Sequence, residues 1–346
     1  MLILRPAKAC DLEPLLHLAR QLDTVNLPED REFLAERIAL SEAAFASRLE
    51  DPDDAAYVFV LEDLETQRCV GTSSILAKQG RPDLPYYWLE VSSEERASPE
   101  LGRRFVHRKL TLRASEDGPT EIGGLVLEPG YRRHPSRCGK ALSIVRFAWM
   151  SMHSERFQLQ VIAEMLSPFE APGRNLLWEA FGARFTGLPY READHLSART
   201  KQWIADLFPR DPVYVTLFPK EVQEVIGRPN ATAQAAVRIL EKVGFHPLNQ
   251  VDPFDGGPYY GAARDAIVSV RERRVLVLPG ESATPAEGAP ERAPGERLTL
   301  LSTEGAQGFR ATVVPLDGEG SPLVTDACRD ALGVGGGDPV SITPLP

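Results

Sequence analysis

The sequence predicts an α/β chain: a mixed α+β sheet with helices on its faces, then a loose linker and a small β-rich tail. Three observations carry that prediction. The first 278 residues alternate strand-like and helix-like segments. Residues 279–297 read PGESATPAEGAPERAPGER, with almost nothing to bury, as expected of a linker. Beyond them, apolar and polar positions alternate with the two-residue period of strands. At 346 residues, 43% hydrophobic and 25% charged, the chain has the composition of a globular protein of about two domains.

The elements follow in order. LILRP (2–6) is a short strand, and Asp11 stands where a cap belongs before LEPLLHLARQL (12–22). In that segment Leu12, Leu15, Leu16, Leu18 and Leu22 mark one apolar helical face. YVFVLED (57–63) and CVGTSSILAK (69–78) form a strand pair turned by the polar LETQR. EIGGLVLEP (121–129) is a buried strand, KALSIVRFAWMSMH (140–153) a helix, and FQLQVIAEML (157–166) another strand. In the tail, RLTLLS, FRATVVPL and PVSITPL alternate as strands, and DACRDALGVGGGD is a short helix stopped by glycines. The expected division is therefore 1–278, a linker at 279–297, and a small domain at 298–346.

Charge narrows the function classes. The chain holds 39 basic and 49 acidic residues, a formal net charge of −10. From Val275 onward there are four basic and ten acidic residues. Such a balance argues against non-specific nucleic-acid binding, although a local basic patch can still hold a small anion. The opening lacks a basic segment followed by a long apolar one, and no stretch reaches about 18 apolar residues, so neither a signal peptide nor a membrane span is expected. Cys10, Cys69, Cys138 and Cys328 lie far apart without a CxxC pair, which reads as reduced thiols in a cytoplasmic protein. Nothing here calls for a metal or a redox cofactor.

The stretch from Ile122 to His153 carries the clearest chemistry. A buried strand feeds GYRRHPSRCGKA (130–141), which opens a helix. Arg132, Arg133, Arg137 and Lys140 gather there in an otherwise acidic chain, with His134 as a fifth candidate. Gly139 lets the backbone approach a ligand at a helix N-terminus, where free N–H groups and the helix dipole favour an anion such as a pyrophosphate. A solvated basic loop is the alternative.

Strand, basic loop, helix and strand, following an N-terminal strand and helix, resemble the acyl-CoA-dependent N-acyltransferases of the GNAT superfamily. Their phosphate loop, [QR]-x-x-G-x-[GA], aligns with Ser136, Arg137, Cys138, Gly139, Lys140 and Ala141, Ser136 replacing the usual Gln or Arg. AAVRILEKVGF (235–245) is similar to the superfamily's late helix. A longer resemblance covers most of the chain. YVFVLEDLET, LVLEPGYRR, VIAEM, READHLS, KQWIADLFPRDPVYV, VIGRPNATAQAAVRILEKVGF, VDPFDGGPYY and ALGVGGGDPVSITPL resemble the arginine N-succinyltransferase family. The resemblance implies a GNAT-like fold with insertions, expected at 78–120 and 186–225, and a small C-terminal β-barrel.

It also implies succinyl transfer from succinyl-CoA to the α-amino group of arginine or its relative ornithine, in arginine breakdown, by a cytoplasmic homodimer. The amine must lose a proton and attack the thioester, a donor must hold the oxyanion, and coenzyme A leaves as a thiolate. Leu125, Val126 and Leu127 then line the strand that holds the acyl-CoA arm, with Leu125 at the family's succinyl-CoA-binding position; plain core strand is compatible with this. Arg132, Arg133, Arg137, Gly139, Lys140 and Ala141 form the phosphate loop. The family's proton-donor histidine aligns with Asn230, whose amide can orient water or hold an oxyanion but cannot exchange a proton near neutral pH. Two further departures are Leu166, where relatives commonly carry arginine, and a phosphate loop longer by about two residues.

Glu164 is the first candidate for a base acting through water, since burial raises a carboxyl toward neutral pH. His195, beside Asp194, and Glu128 are others. His134 reads as a ligand to anion or solvent, and His107 as structural or exposed. Asp252 and Asp255 are candidates for the guanidinium, with an Asp-Gly turn as the alternative. Arg191 or Lys201 could meet a carboxylate. Two further readings stay open: an acyltransferase with another acyl-CoA or amine, and a non-catalytic subunit binding coenzyme A or an amino acid.

Overall fold

The computed structural model describes residues 1–21, 27–170, 174–280 and 297–346. Among them are β1 (Leu2–Pro6), β2 (Ala56–Asp63), β3 (Arg68–Leu76), β4 (Tyr86–Ser98), β5 (Arg103–Ser115), β6 (Thr120–Leu127) and β7 (Gln160–Glu164). They continue with β8 (Val213–Tyr214), β9 (His246–Val251), β10 (Pro258–Ala263), β11 (Arg274–Val277), β12 (Leu298–Gly305), β13 (Gly308–Pro315) and β14 (Pro339–Pro344). The chain forms a mixed α/β fold of two compact units. One comprises Met1–Ala77, Ile122–Leu159 and Ala263–Pro346; the other comprises Lys78–Glu121 and Gln160–Ala262.

In the first unit the strands follow the order β11-β14-β12-β13-β1-β2-β3-β6. The pairs from β11 to β3 are antiparallel. The helix Cys138–Met152 is buried along most of its length. Gly71 admits it: a Cβ there would stand 2.6 Å from the Leu142 side chain and 3.0 Å from the Val126 carbonyl. Ser73 donates to the Leu142 carbonyl at 2.8 Å, and Trp149 packs among Phe45, Tyr57 and Phe309.

The tail departs from expectation. Its strands do not close a barrel: β12, β13 and β14 lie in an open run between β11 and β1, with Leu4 opposite Ala311. Their apolar face is buried with Ile3 and Leu278 in one core. The compact units accordingly divide at residues 77, 121, 159 and 262, and the tail groups with the N-terminal strands. Pairing between residues remote in sequence, which local composition does not report, makes this grouping. Of the expected linker, residues 281–296 lie outside the described residues, as does Leu22. A smaller correction concerns Asp11. It is the residue before the helix Leu12–Ala19, but its carboxylate makes no cap there. It accepts from the Lys8 amide at 2.8 Å and pairs with Arg5 at 2.7 Å, so a buried ion pair takes the oxygens a cap would use.

In the second unit the order runs from the first residues of β6 through β7-β10-β9-β4-β5-β8. Thr120 and Glu121 pair in parallel with Val161 and Ile162. The stretch expected as an insertion forms a hairpin, β4 against β5, paired from Tyr86↔Ser115 to Ser98↔Arg103. The core holds Leu110, Leu177, Phe181, Ile204 and Val251 around Trp178, which stacks on Phe254 with ring centroids 5.3 Å apart.

Candidate active site

In the second unit the turn that joins β9 to β10 is built by its own aspartates. Asp252 Oδ1 accepts from the amides of Phe254 and Asp255, at 2.7 and 2.9 Å. Asp255 Oδ1 accepts from Gly257 at 2.6 Å, and its Oδ2 from Ser167 at 2.8 Å. Gly256 sits at φ 78°, a left-handed conformation that costs a Cβ-bearing residue. A Cβ on Gly257 would lie 2.1 Å from the Met165 carbonyl oxygen. The DGG turn is thus pressed against the residue that follows β7, which ends at Glu164.

The result is a cluster: carboxylate oxygens of Glu164, Asp252 and Asp255 all lie within 4.8 Å of one another. Both oxygens of Asp255 and one of Asp252 serve backbone amides. The Glu164 carboxylate and Asp252 Oδ2 accept no hydrogen bond among the described residues. A planar guanidinium suits two such acceptors, whereas a hard divalent ion asks for about six oxygens.

Three carboxylates this close cannot all hold full charge. Burial pushes Glu164 well above the usual carboxylate range, and the charges of Asp252, Asp255, Glu121 and Asp194 push the same way. Burial raises Asp252 to about 8, with Asp255 adding and the amides of Asp255 and Phe254 opposing. Asp255 rises only to about 6, because the amides of Ser167 and Gly257 stabilise its charge against burial. Around the cluster, burial and these carboxylates raise the phenols of Tyr86, Tyr190 and Tyr259. Lys201, half-buried, is lowered by burial while Glu121, Asp252 and Glu164 oppose the shift. Its ammonium forms no ion pair among the described residues.

Asn230 reaches this neighbourhood through the backbone, its N–H donating to the Leu166 carbonyl at 2.8 Å. Its Oδ1 accepts from the Thr232 hydroxyl and from the Ala233 amide, each at 2.8 Å. The side chain thereby caps the segment leading into the helix Gln234–Lys242, which leaves Nδ2 as its open donor. His195 is exposed on the helix Tyr190–Ser197; its neighbour Asp194 is the residue turned inward. Arg191 is exposed as well. Sequence reading underrated Lys201 and missed the tyrosine wall; a lysine at a half-buried position gives no local signal of its own.

The basic loop belongs to the first unit. Leu125, Val126 and Leu127 lie on β6, with Val126 buried and its neighbours half-buried. Tyr131 anchors the loop by donating to Asp63 at 2.7 Å. His134 Nδ1 accepts from the Ser136 amide at 3.1 Å while its ring stacks on Tyr131, so one ring nitrogen holds the loop's own turn. Glu128 pairs with His17 at 2.9 Å. His107 meets Thr216 at 2.9 Å, a structural contact. Arg137, at φ 55°, precedes the helix Cys138–Met152, whose first amides have no side-chain cap. Gly139 and Lys140 are half-buried, Ala141 is buried, and Arg132 and Arg133 are exposed on the preceding turn.

Comparison with known proteins defines the class. The family model described as arginine N-succinyltransferase beta subunit matches residues 2–269. The chain belongs to the arginine N-succinyltransferase family, and is an acyltransferase. It is 32% identical to an arginine N-succinyltransferase of Citrobacter koseri, over 100% of this chain and 98% of the relative. It is 33% identical to the arginine N-succinyltransferase subunit alpha of Pseudomonas aeruginosa, over 99% of each. Among solved structures it is similar to the arginine/ornithine succinyltransferase subunit AI of Pseudomonas aeruginosa, with a TM-score of 0.83 and 30% identity over 100% of this chain and 99% of that one.

Proposed function

We propose that the protein transfers a succinyl group from succinyl-CoA to the α-amino group of arginine or ornithine, on a GNAT-like core. The observation that carries this reading is the pair of open carboxylate acceptors, Glu164 and Asp252, beside Lys201, which forms no ion pair among the described residues. Arginine needs anionic acceptors for its guanidinium and a cation for its α-carboxylate, and this site offers both. Asp252 Oδ2 takes the guanidinium, Asp255 holds the turn that aims it, and Lys201 takes the α-carboxylate. The clustered oxygens lie too close together for both ends of an extended arginine, about 7 Å between Cζ and the α-nitrogen, to touch them directly. Glu164 therefore removes the α-amino proton through one water. Asn230 Nδ2 donates to that water or to the oxyanion, and His195 is assigned no step.

Leu125, Val126 and Leu127 carry the acyl-CoA arm, and the loop from Arg132 to Ala141 its phosphates. The strand–loop–helix order from β6 to Met152 supports this assignment, as it supports the GNAT-like core. The small tail domain at 298–346 and the linker before it belong to the same proposal. So do a cytoplasmic location and a homodimer; relatives named as subunits favour more than one chain. Asn230 and Leu166 favour a second reading, in which the site has diverged toward another acyl-CoA or amine, or only binds them. Thiol release from succinyl-CoA and acetyl-CoA, each against arginine, ornithine and lysine, decides. Turnover with succinyl-CoA and arginine is the expected result; no turnover with any pair, despite coenzyme A binding, leaves the second reading.

A further inference from the structure

The first unit contains a cavity of about 340 Å³ lined by Arg137, Lys140, Arg274 and Arg297, with Glu272 as its one acidic residue. Glu272 is taken by Arg271 at 3.0 Å. Among the described residues, the guanidinium groups of Arg137, Arg274 and Arg297 meet no carboxylate. Arg274 reaches the Gly320 carbonyl at 3.4 Å, and Arg297 reaches the carbonyls of Asp317 and Gly318 at 3.4 and 3.5 Å. These are long contacts that leave most donors open. Lys140 is taken by a main-chain oxygen of Pro346 and is not among the open cations. The same cations stand at the start of a 15-residue helix, entered through Arg137 at φ 55°, whose dipole favours an anion. In a chain of net charge −10, three guanidinium groups that meet no carboxylate among the described residues gather around one cavity and suit an anion.

We propose that this cavity binds a phosphomonoester, and that Arg274 and Arg297, which lie outside the phosphate loop, are its specificity-determining residues. A dianionic terminal phosphate offers three oxygens to planar guanidinium forks; a carboxylate offers two and half the charge. Two sources share this chemistry: the 3′-phosphate of coenzyme A, which rests on the acyl-CoA reading above, and a free phosphate acting apart from the donor. Neither arginine belongs to the loop that the sequence assigned to the pyrophosphate.

The test is calorimetry on the full chain with coenzyme A, dephospho-coenzyme A and inorganic phosphate, repeated on Arg274→Gln/Arg297→Gln and on Arg274→Lys/Arg297→Lys. Both arginines are exposed, and matching melting curves establish that the variants are folded. If the 3′-phosphate is the occupant, coenzyme A binds about tenfold or more tightly than its dephospho form. The glutamine pair then abolishes that difference, and the lysine pair restores part of it. If a free phosphate is the occupant, inorganic phosphate binds the parent and not the glutamine pair, while both coenzyme forms bind alike. Equal affinities for all three probes in parent and variants overturn the proposal. Failure of both coenzyme forms to bind counts against the acyl-CoA reading, and the phosphate arm still decides the cavity.

Discussion

Gly257 shows how little freedom the substrate end has. Gly257→Ala drives a methyl group into the Met165 carbonyl, so it should cost about 2–3 kcal/mol and weaken arginine binding by displacing Asp252. Thermal melts and the KM for arginine report the two effects separately. Glu164 tests the chemistry: Glu164→Gln keeps the shape and removes the base, with a loss of about a hundredfold in kcat/KM. Its fold should be intact, because a half-buried carboxyl that accepts no hydrogen bond among the described residues becomes a neutral amide. Retention of full activity by this variant sinks Glu164 as the base. The sequence had named Glu164, Asp252 and Asp255 one by one, on strand-end position and turn composition. Their meeting within 4.8 Å was not legible, since about ninety residues separate the first from the others and no periodicity links them.

At the scale of the element, Asn230 separates two roles. Its Oδ1 caps the chain entering the helix Gln234–Lys242, so Asn230→Ala should lower stability by about 1 kcal/mol. Asn230→Asp keeps an acceptor for the cap and removes the Nδ2 donor. Stability should then be retained while kcat falls, and a variant with unchanged kcat shows that the position only caps. The apolar runs LILRP and YVFVLED and the tail's alternating segments could be read from the sequence, because the residues that mark them are those the sheet buries. The hairpin of β4 and β5 could not. Its outer half carries charges on both faces, so neither a two-residue nor a helical period marks it, and only cross-strand pairing makes it regular.

For the whole molecule, the acidic cluster sets a pH dependence. Carboxyls raised above their unfolded values hold protons in the folded state that the unfolded chain releases. Their contribution to stability is therefore complete at low pH and is lost as pH rises through the folded values, about 6 for Asp255 and about 8 for Asp252. The melting temperature of the unliganded protein should fall as pH rises from about 4, the ordinary carboxyl value, to about 8, and Glu164→Gln should flatten the fall. Arginine binding runs the other way. A cation favours the ionised cluster, so its KM should decrease over the same range with release of a proton, detectable as calorimetric heats that vary with the buffer. The architecture was legible as α/β; the pairing of the tail's strands with β1 was not, because it joins residues about three hundred positions apart that no local pattern links.

That attachment bears on how the protein is made. β1 leaves the ribosome about three hundred residues ahead of its partner β13. At about 5–20 residues per second, the N-terminal strand waits tens of seconds with one edge open. The second unit, complete at residue 262, can close meanwhile. Nascent chains halted before β13 should thus carry a protease-resistant second unit and a first unit still open to digestion, a vectorial order that refolding of the finished chain from denaturant does not impose.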